Sequence, residues 1–412
     1  MPVSDLDTAG EPEGARLERH ASWAELFFDL VAVAGVGTLA HVLETELDAA
    51  ALGLYAVLFL AFWLTWTTFM LYGNVAAGQT RVIRLLAGMF GLGVMAASVP
   101  RVAHEVLGAG HGEGHSTLPL TAFTIAYVVT RVYGGHSWSR GEILLDFPVV
   151  QYSLGLLPWI VSIWADDDWK VALWALGVVL DLLVILVLSG PQMLAGVRAR
   201  VSERWRTTKD RDVRMPVIRG VSVDPEHLAE RLGLFVIIVL GESVIQIVNA
   251  AADAHYGSGL LITGLAAFLL LASIFALSVV YGHAGLPHLR AGHIPTRAAI
   301  GLHCLVTGVI ATVAVSLAAV IEHGSEPLDD PVRWLLCGAV ATYFALGVVT
   351  GLLSEGPGLR PTLVWVVTGI VVPLLLGAFG GDRGGRNVVI CLVLVMLAHL
   401  VFEHRRSPRP AG

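Results

Sequence analysis

Four polar residues, Glu242, Gln246, Asn249 and Asp253, recur at spacings of four, three and four in a stretch otherwise made, apart from Ser243, of Ile, Val and Ala. On a helix that spacing gathers them on one face, and Arg231 falls on the same stripe eleven residues earlier. A polar stripe in an apolar segment can line an aqueous passage or bind a small solute or ion; the alternative is a seam of interhelical hydrogen bonds. A second pair of acids stands in "ELFFDL", where Glu25 and Asp29 are four apart and share a helix face. A carboxylate at the centre of a membrane span costs about 2.5 to 3.5 kcal/mol on insertion scales and faces a protein interior or a water-filled cavity. An acid held there without a fixed counter-charge can exchange protons. Asp29 and Glu242 are therefore the first candidates for a proton or cation site, with Glu25 nearer the surface. Arg131, Asp146, Asp181, Arg231 and His283 are secondary intramembrane polar candidates. Arg131 and Asp146 are close in sequence and are expected to pair, whereas Asp181 needs a partner from elsewhere in the fold.

The elements that must position these residues are membrane helices. The chain has 412 residues, 55% hydrophobic and only 14% charged, with mean hydropathy +0.73, which excludes an ordinary soluble domain. Apolar runs of about 20 residues predict an all-α polytopic bundle of about twelve spans (ten to twelve), at 23–43, 51–73, 82–101, 118–135, 143–164, 170–189, 230–250, 259–283, 297–321, 332–353, 361–380 and 387–403. Arginines concentrate in alternate connections, from Arg81 and Arg84 to the run Arg198–Arg219 and the tail at Arg405 and Arg406, while "ETELD", "ADDD" and "EPLDD" fall in the others. The positive-inside rule then puts both termini in the cytoplasm. The expected organisation is a disordered cytoplasmic tail at 1–20, a first transmembrane half at 21–196, a basic cytoplasmic loop at 197–228, a second half at 229–404 and a basic tail at 405–412. The openings of the halves echo each other, "WAELFFDL" against "LAERLGLF". Six spans per half would make the repeat parallel, about an axis along the membrane normal.

Other chemistry is poorly represented. Cys304, Cys337 and Cys391 are isolated in apolar runs and form no disulfide or metal pattern. "RVAHEVLGAGHGEGH" carries His104, His111 and His115, of types that bind Zn²⁺ or Cu²⁺ but outside the His-Glu-x-x-His spacing; His111 and His115 are weak metal candidates and no metal site is expected. No phosphate loop, nucleophile elbow or Ser-His-Asp set is present, so neither an enzyme, a cofactor nor a nucleic-acid partner is expected. The expected partners are the lipid bilayer and a small solute or ion, with a homo-oligomer left open.

Two motifs carry a family resemblance. Glu25, Leu26, Phe27, Phe28, Asp29, Leu30 and Val31 form the first; Glu230, Arg231, Gly233, Leu234, Phe235, Ile237, Ile238, Leu240, Gly241, Glu242 and Ser243 form the second. In this order and spacing they resemble the bacterial low temperature requirement A (LtrA) family, over about residue 20 to the C-terminus. The resemblance implies a polytopic inner-membrane protein associated with growth in the cold, and it supplies no molecular activity. Where family members carry an acid beside the histidine after the next span, this chain has Gly282 before His283, which argues against a metal or relay role there. The leading expectation is a secondary transporter or proton-coupled permease. The alternatives are a cation channel and a non-transporting membrane sensor or structural protein.

Overall fold

The computed structural model of the chain describes residues 20–43, 47–76, 81–108, 117–136, 142–207, 218–282, 294–324, 326–354 and 359–406. These form an all-α bundle. α1 (Trp23–Gly37) continues after a short turn into α2 (Ala40–Leu43), and α3 (Ala49–Ala76), α4 (Val82–Leu107) and α5 (Leu118–Gly135) follow. After β1 (Glu142–Leu144) come α6 (Leu156–Val161), α7 (Asp167–Val187) and α8 (Gly190–Thr207). β2 (Arg219–Val221) leads into α9 (Pro225–Asp253) and α10 (Ser258–Phe275), which ends in a π-helical turn to Val280. α11 (Thr296–His323), α12 (Asp330–Ser354), α13 (Leu359–Val364), a π-helical stretch Trp365–Val371, α14 (Val372–Phe379) and α15 (Gly385–Arg406) complete it.

Ten of the described helical segments are long and apolar enough to cross a membrane. α5 is an eleventh long helix, whose Arg131 and paired glycines dilute its apolar content. The side chains facing outward are those a bilayer would solvate: Phe90, Leu186 and Phe379 are 76%, 77% and 80% exposed. In water such a surface would aggregate; against lipid tails it is the ordinary exterior of a spanning bundle.

Two expectations about the spans are corrected. The third span, expected over 82–101, does not stop at 101: α4 runs through Pro100 to Leu107, with Val99, Val102 and Ala103 still packed in the core. The segment 143–164 is not a continuous helix: it comprises most of β1, a 3₁₀ turn at Pro148–Val150, non-helical backbone and the short α6. Pro148, Gly155 and Pro158 interrupt the apolar run, and proline removes donors that a helix needs. This broken segment ascends beside α7 in the opposite direction. Ser153 and Gly155 touch Asp181, Ser162 touches Trp174, and Ala165 accepts from Lys170.

Contacts orient the remaining helices. α1 and α9 run side by side in the same sense, and the end where both begin is here called the near end. β1 pairs in parallel with β2, Glu142 opposite Arg219, just before α9 begins. α11 starts at the same end, where Arg297 donates to the carbonyls of Asp146 and Ile185. α15 starts at the far end, where the Gly385 N–H donates to Glu326 O, so α1 begins and α15 ends at the near end. The packing order recurs along the chain: α1 on α4 and α4 on α5 are matched by α9 on α11 and α11 on α12.

Candidate functional site

α1 starts with a capping box: Ser22 Oγ accepts from the Glu25 N–H, and the Glu25 carboxylate accepts from the Ser22 N–H at 2.9 Å. That fixes the first turn and aims Glu25 and Asp29 at α9. α9 starts on Asp224, whose carboxylate accepts from the Glu226 and His227 N–H groups, with Pro225 in the first helical position. Asp224 is held in turn by Asn74 of α3 through its backbone N–H and C=O.

These two helix starts bring the acidic motifs together. Arg231 makes a bidentate pair with Asp29, Nε to Oδ2 at 3.0 Å and Nη2 to Oδ1 at 2.5 Å. Its Nη1 lies 3.1 Å from Glu25 Oε1. Trp66 Nε1 donates to Asp29 at 2.7 Å, and His227 Nε2 stands 3.8 Å from Glu25 Oε2. Asp29, Glu25, Arg231 and His227 are all nearly or fully buried. Gly73 closes the cluster, since a Cβ there would come within 2.6 Å of Glu25 Oε1. Glu25 and Asp29 are therefore ion-paired in this conformation. Trp66, His227 and Asn74 were not among the sequence candidates, although Trp66 and Asn74 are polar-tipped residues eight apart in one apolar helix and so lie near one face.

The Glu242 stripe lies farther along the same helix pair and borders a cavity of about 830 Å³. Glu242, Gln246, Asn249 and Asp253 form its α9 wall; Ala34, Gly37 and Thr38 of the first span, Ser316, Glu322 and His323 of α11, and Asp329 before α12 face them. The cavity deepens from exposed Asn249 and Asp253 at the far end to half-buried Glu242. Gln246 stands one turn beyond Glu242 on the same wall, and its Oε1 is buried with no hydrogen-bond partner. At Gly37 the helices come so close that a Cβ would collide with Glu242 Oε1. Glu242 occupies the space a side chain at position 37 would take.

A third cluster pairs Arg131 with Asp181 rather than with Asp146. Arg131 Nη2 is 3.0 Å from Asp181 Oδ2, and its Nη1 donates to Thr68 Oγ1 and to Leu64 O. Asp181 also accepts from Ser153 Oγ at 2.8 Å and from the Gly155 N–H at 2.9 Å. The carboxylate thus satisfies backbone that the broken segment leaves outside any helix. Asp146 instead caps the β1–β2 strap at the near end, accepting from the Val223 N–H. The expected Arg131–Asp146 pair fails because the chain breaks at Pro148 and leaves Asp146 beside β2.

Of the other motif residues, Phe28 is buried against Phe69 while Phe27 is 52% exposed on the outer surface. Ser243 bonds back to Val239 O, and Gly241 faces open space. Glu230 lies near exposed His20, and Gly233 is half-buried. His283, His111 and His115 lie outside the described residues. Among the described residues no group of three or more His, Cys, Asp or Glu could hold a metal ion.

A family model described as "Bacterial low temperature requirement A protein (LtrA)" matches residues 20–401. An uncharacterized protein of Rhizobium meliloti (strain 1021) is 26% identical over 258 residues, which cover 57% of this chain and 55% of that protein. The chain therefore spans about half the length of this curated relative. No solved structure matches.

Proposed function

The chain belongs to the bacterial low temperature requirement A family, and from that premise we propose that it is a secondary transporter, not an enzyme, which carries a proton or small cation through the Glu242 cavity. The proposal places it in the cytoplasmic membrane with both termini cytoplasmic, following the basic connections at the near end. One observation carries the reading: the cavity opens at the far end and narrows between α1 and α9, and the same two helices are bound together at the near end by the buried Glu25–Arg231–Asp29 cluster. A site open to one side and closed on the other by an ion-paired seam is one half of an alternating-access cycle. The opposite state requires α1 and α9 to separate at the near end and close over Glu242 at the far end. Four carboxylates around the cavity, Glu242, Asp253, Glu322 and Asp329, favour a cation over an anion.

Proteoliposomes with a trapped pH-sensitive dye and an imposed potassium diffusion potential test this for the wild type beside Glu242→Gln. The expected result is flux in the wild type and its loss in a variant that still inserts and folds. Flux unchanged by Glu242→Gln removes Glu242 from the pathway. Single-channel currents would replace the carrier with a channel lined by the same stripe.

A further inference from the structure

α8 lies outside the spanning bundle and takes no part in the cavity. It begins at Gly190, three residues after α7 ends at Val187, so its start is tethered where α7 leaves the apolar layer. Met193, Leu194, Val197 and Val201 fall on one arc of this helix, and Arg198 and Arg200 flank that arc on its two sides. The β1–β2 strap covers part of the arc: Leu194 packs over Gly220, and Gly190 sits against Leu145 O. All four apolar residues nevertheless stay only half-buried. Arg198 is anchored by Ile218 O, which accepts from its Nε and Nη2 at 3.1 and 2.9 Å. This brings it beside Arg219, and Arg198, Arg200 and Arg219 are all exposed.

A soluble anion would use the arginines and leave the apolar arc in water, whereas a neutral lipid surface would use the arc and leave the arginines without counter-charge. A bilayer surface bearing anionic headgroups uses both, because arginine stems can lie along the apolar edge while guanidinium groups reach phosphates. We propose that α8, with Arg219 of β2, is a docking surface for the anionic phospholipid headgroups of the bilayer that α7 crosses. The helix then lies in the interface with Val201 turned toward the acyl chains. Each free arginine contributes about fivefold to the preference for an anionic surface. This inference does not depend on the transport reading.

The test uses the full chain with Cys304, Cys337 and Cys391 replaced by Ala and a spin label at Val201→Cys. The protein is reconstituted in vesicles of phosphatidylcholine alone or an equimolar mixture with phosphatidylglycerol. In the mixed vesicles the label should relax with dissolved oxygen and be shielded from a water-soluble nickel chelate. In phosphatidylcholine, or on adding Arg200→Gln in mixed vesicles, the nickel accessibility should rise severalfold. Arg200→Gln leaves the Arg198–Ile218 clamp intact, so its effect reports the charge and not the fold. Equal nickel accessibility in both lipids, or no effect of Arg200→Gln, overturns the proposal.

Discussion

At the scale of single residues, the near-end cluster holds two carboxylates and one guanidinium, all buried, and its members are not equivalent. Arg231→Gln removes the guanidinium and leaves the buried Glu25 and Asp29 carboxylates facing each other. Breaking a buried pair by deleting one partner costs about 3 to 5 kcal/mol, so this variant should lose a large part of the protein's thermal stability in detergent. Asp29→Asn keeps an acceptor for Trp66 and leaves Arg231 with Glu25, and it should cost clearly less. Similar losses for the two variants would contradict the central position of Arg231. Gly37→Ala acts at the other end of the helix pair, where its methyl group displaces the Glu242 carboxylate. It should lower flux more than it lowers melting temperature, and unchanged flux would remove that contact from the site. Residue type and spacing were enough to single out Glu25, Asp29, Arg231 and Glu242. Their mutual contact was not legible, because a period of 3.6 shows which face a residue occupies and not which helix that face meets.

At the scale of elements, the informative one is the segment expected as a helix over 143–164. Its prolines and Gly155 were visible in the sequence, but a hydropathy window averages over them and returns a span. What keeps the broken chain in place is Asp181, which accepts from Ser153 Oγ and the Gly155 N–H while paired with Arg131. Ser153→Ala removes one hydrogen bond to an acceptor that keeps its others, for a loss of about 1.5 to 3 kcal/mol. Asp181→Leu leaves Arg131, Ser153 and Gly155 without their acceptor together and should abolish accumulation of the folded protein, while Arg131→Met with Asp181→Leu should recover part of it. Abundance in the membrane and melting in detergent measure all three, and a tolerated Asp181→Leu would show that the segment is held by packing alone. The α13–α14 segment is irregular for a related reason: Pro361 and Pro373 flank a π-helical stretch at Trp365–Val371.

At the scale of the whole molecule, the echo between the helix openings has a spatial counterpart. α1 and α9 lie parallel in contact, α4 and α11 pack on them in turn, and the space between them is sealed at one end and open at the other. The sequence echo pointed to two halves but could not show that their first helices form the central seam, since that is a property of packing between distant segments. If the seam rocks, a residue on the cavity wall should change the side from which it is reached. Asn249→Cys, on a background lacking Cys391, should react with a membrane-impermeant maleimide added at the far face, where Asn249 is exposed. Weakening the near-end cluster with Asp29→Asn should shift the population toward the opposite state. Far-face labelling should then slow and labelling from the near face appear, by a factor set by the lost differential stability, about tenfold for each 1.4 kcal/mol. Labelling from the far face alone, at one rate in both backgrounds, would mean that the cluster is a permanent staple and that α1 and α9 do not move apart.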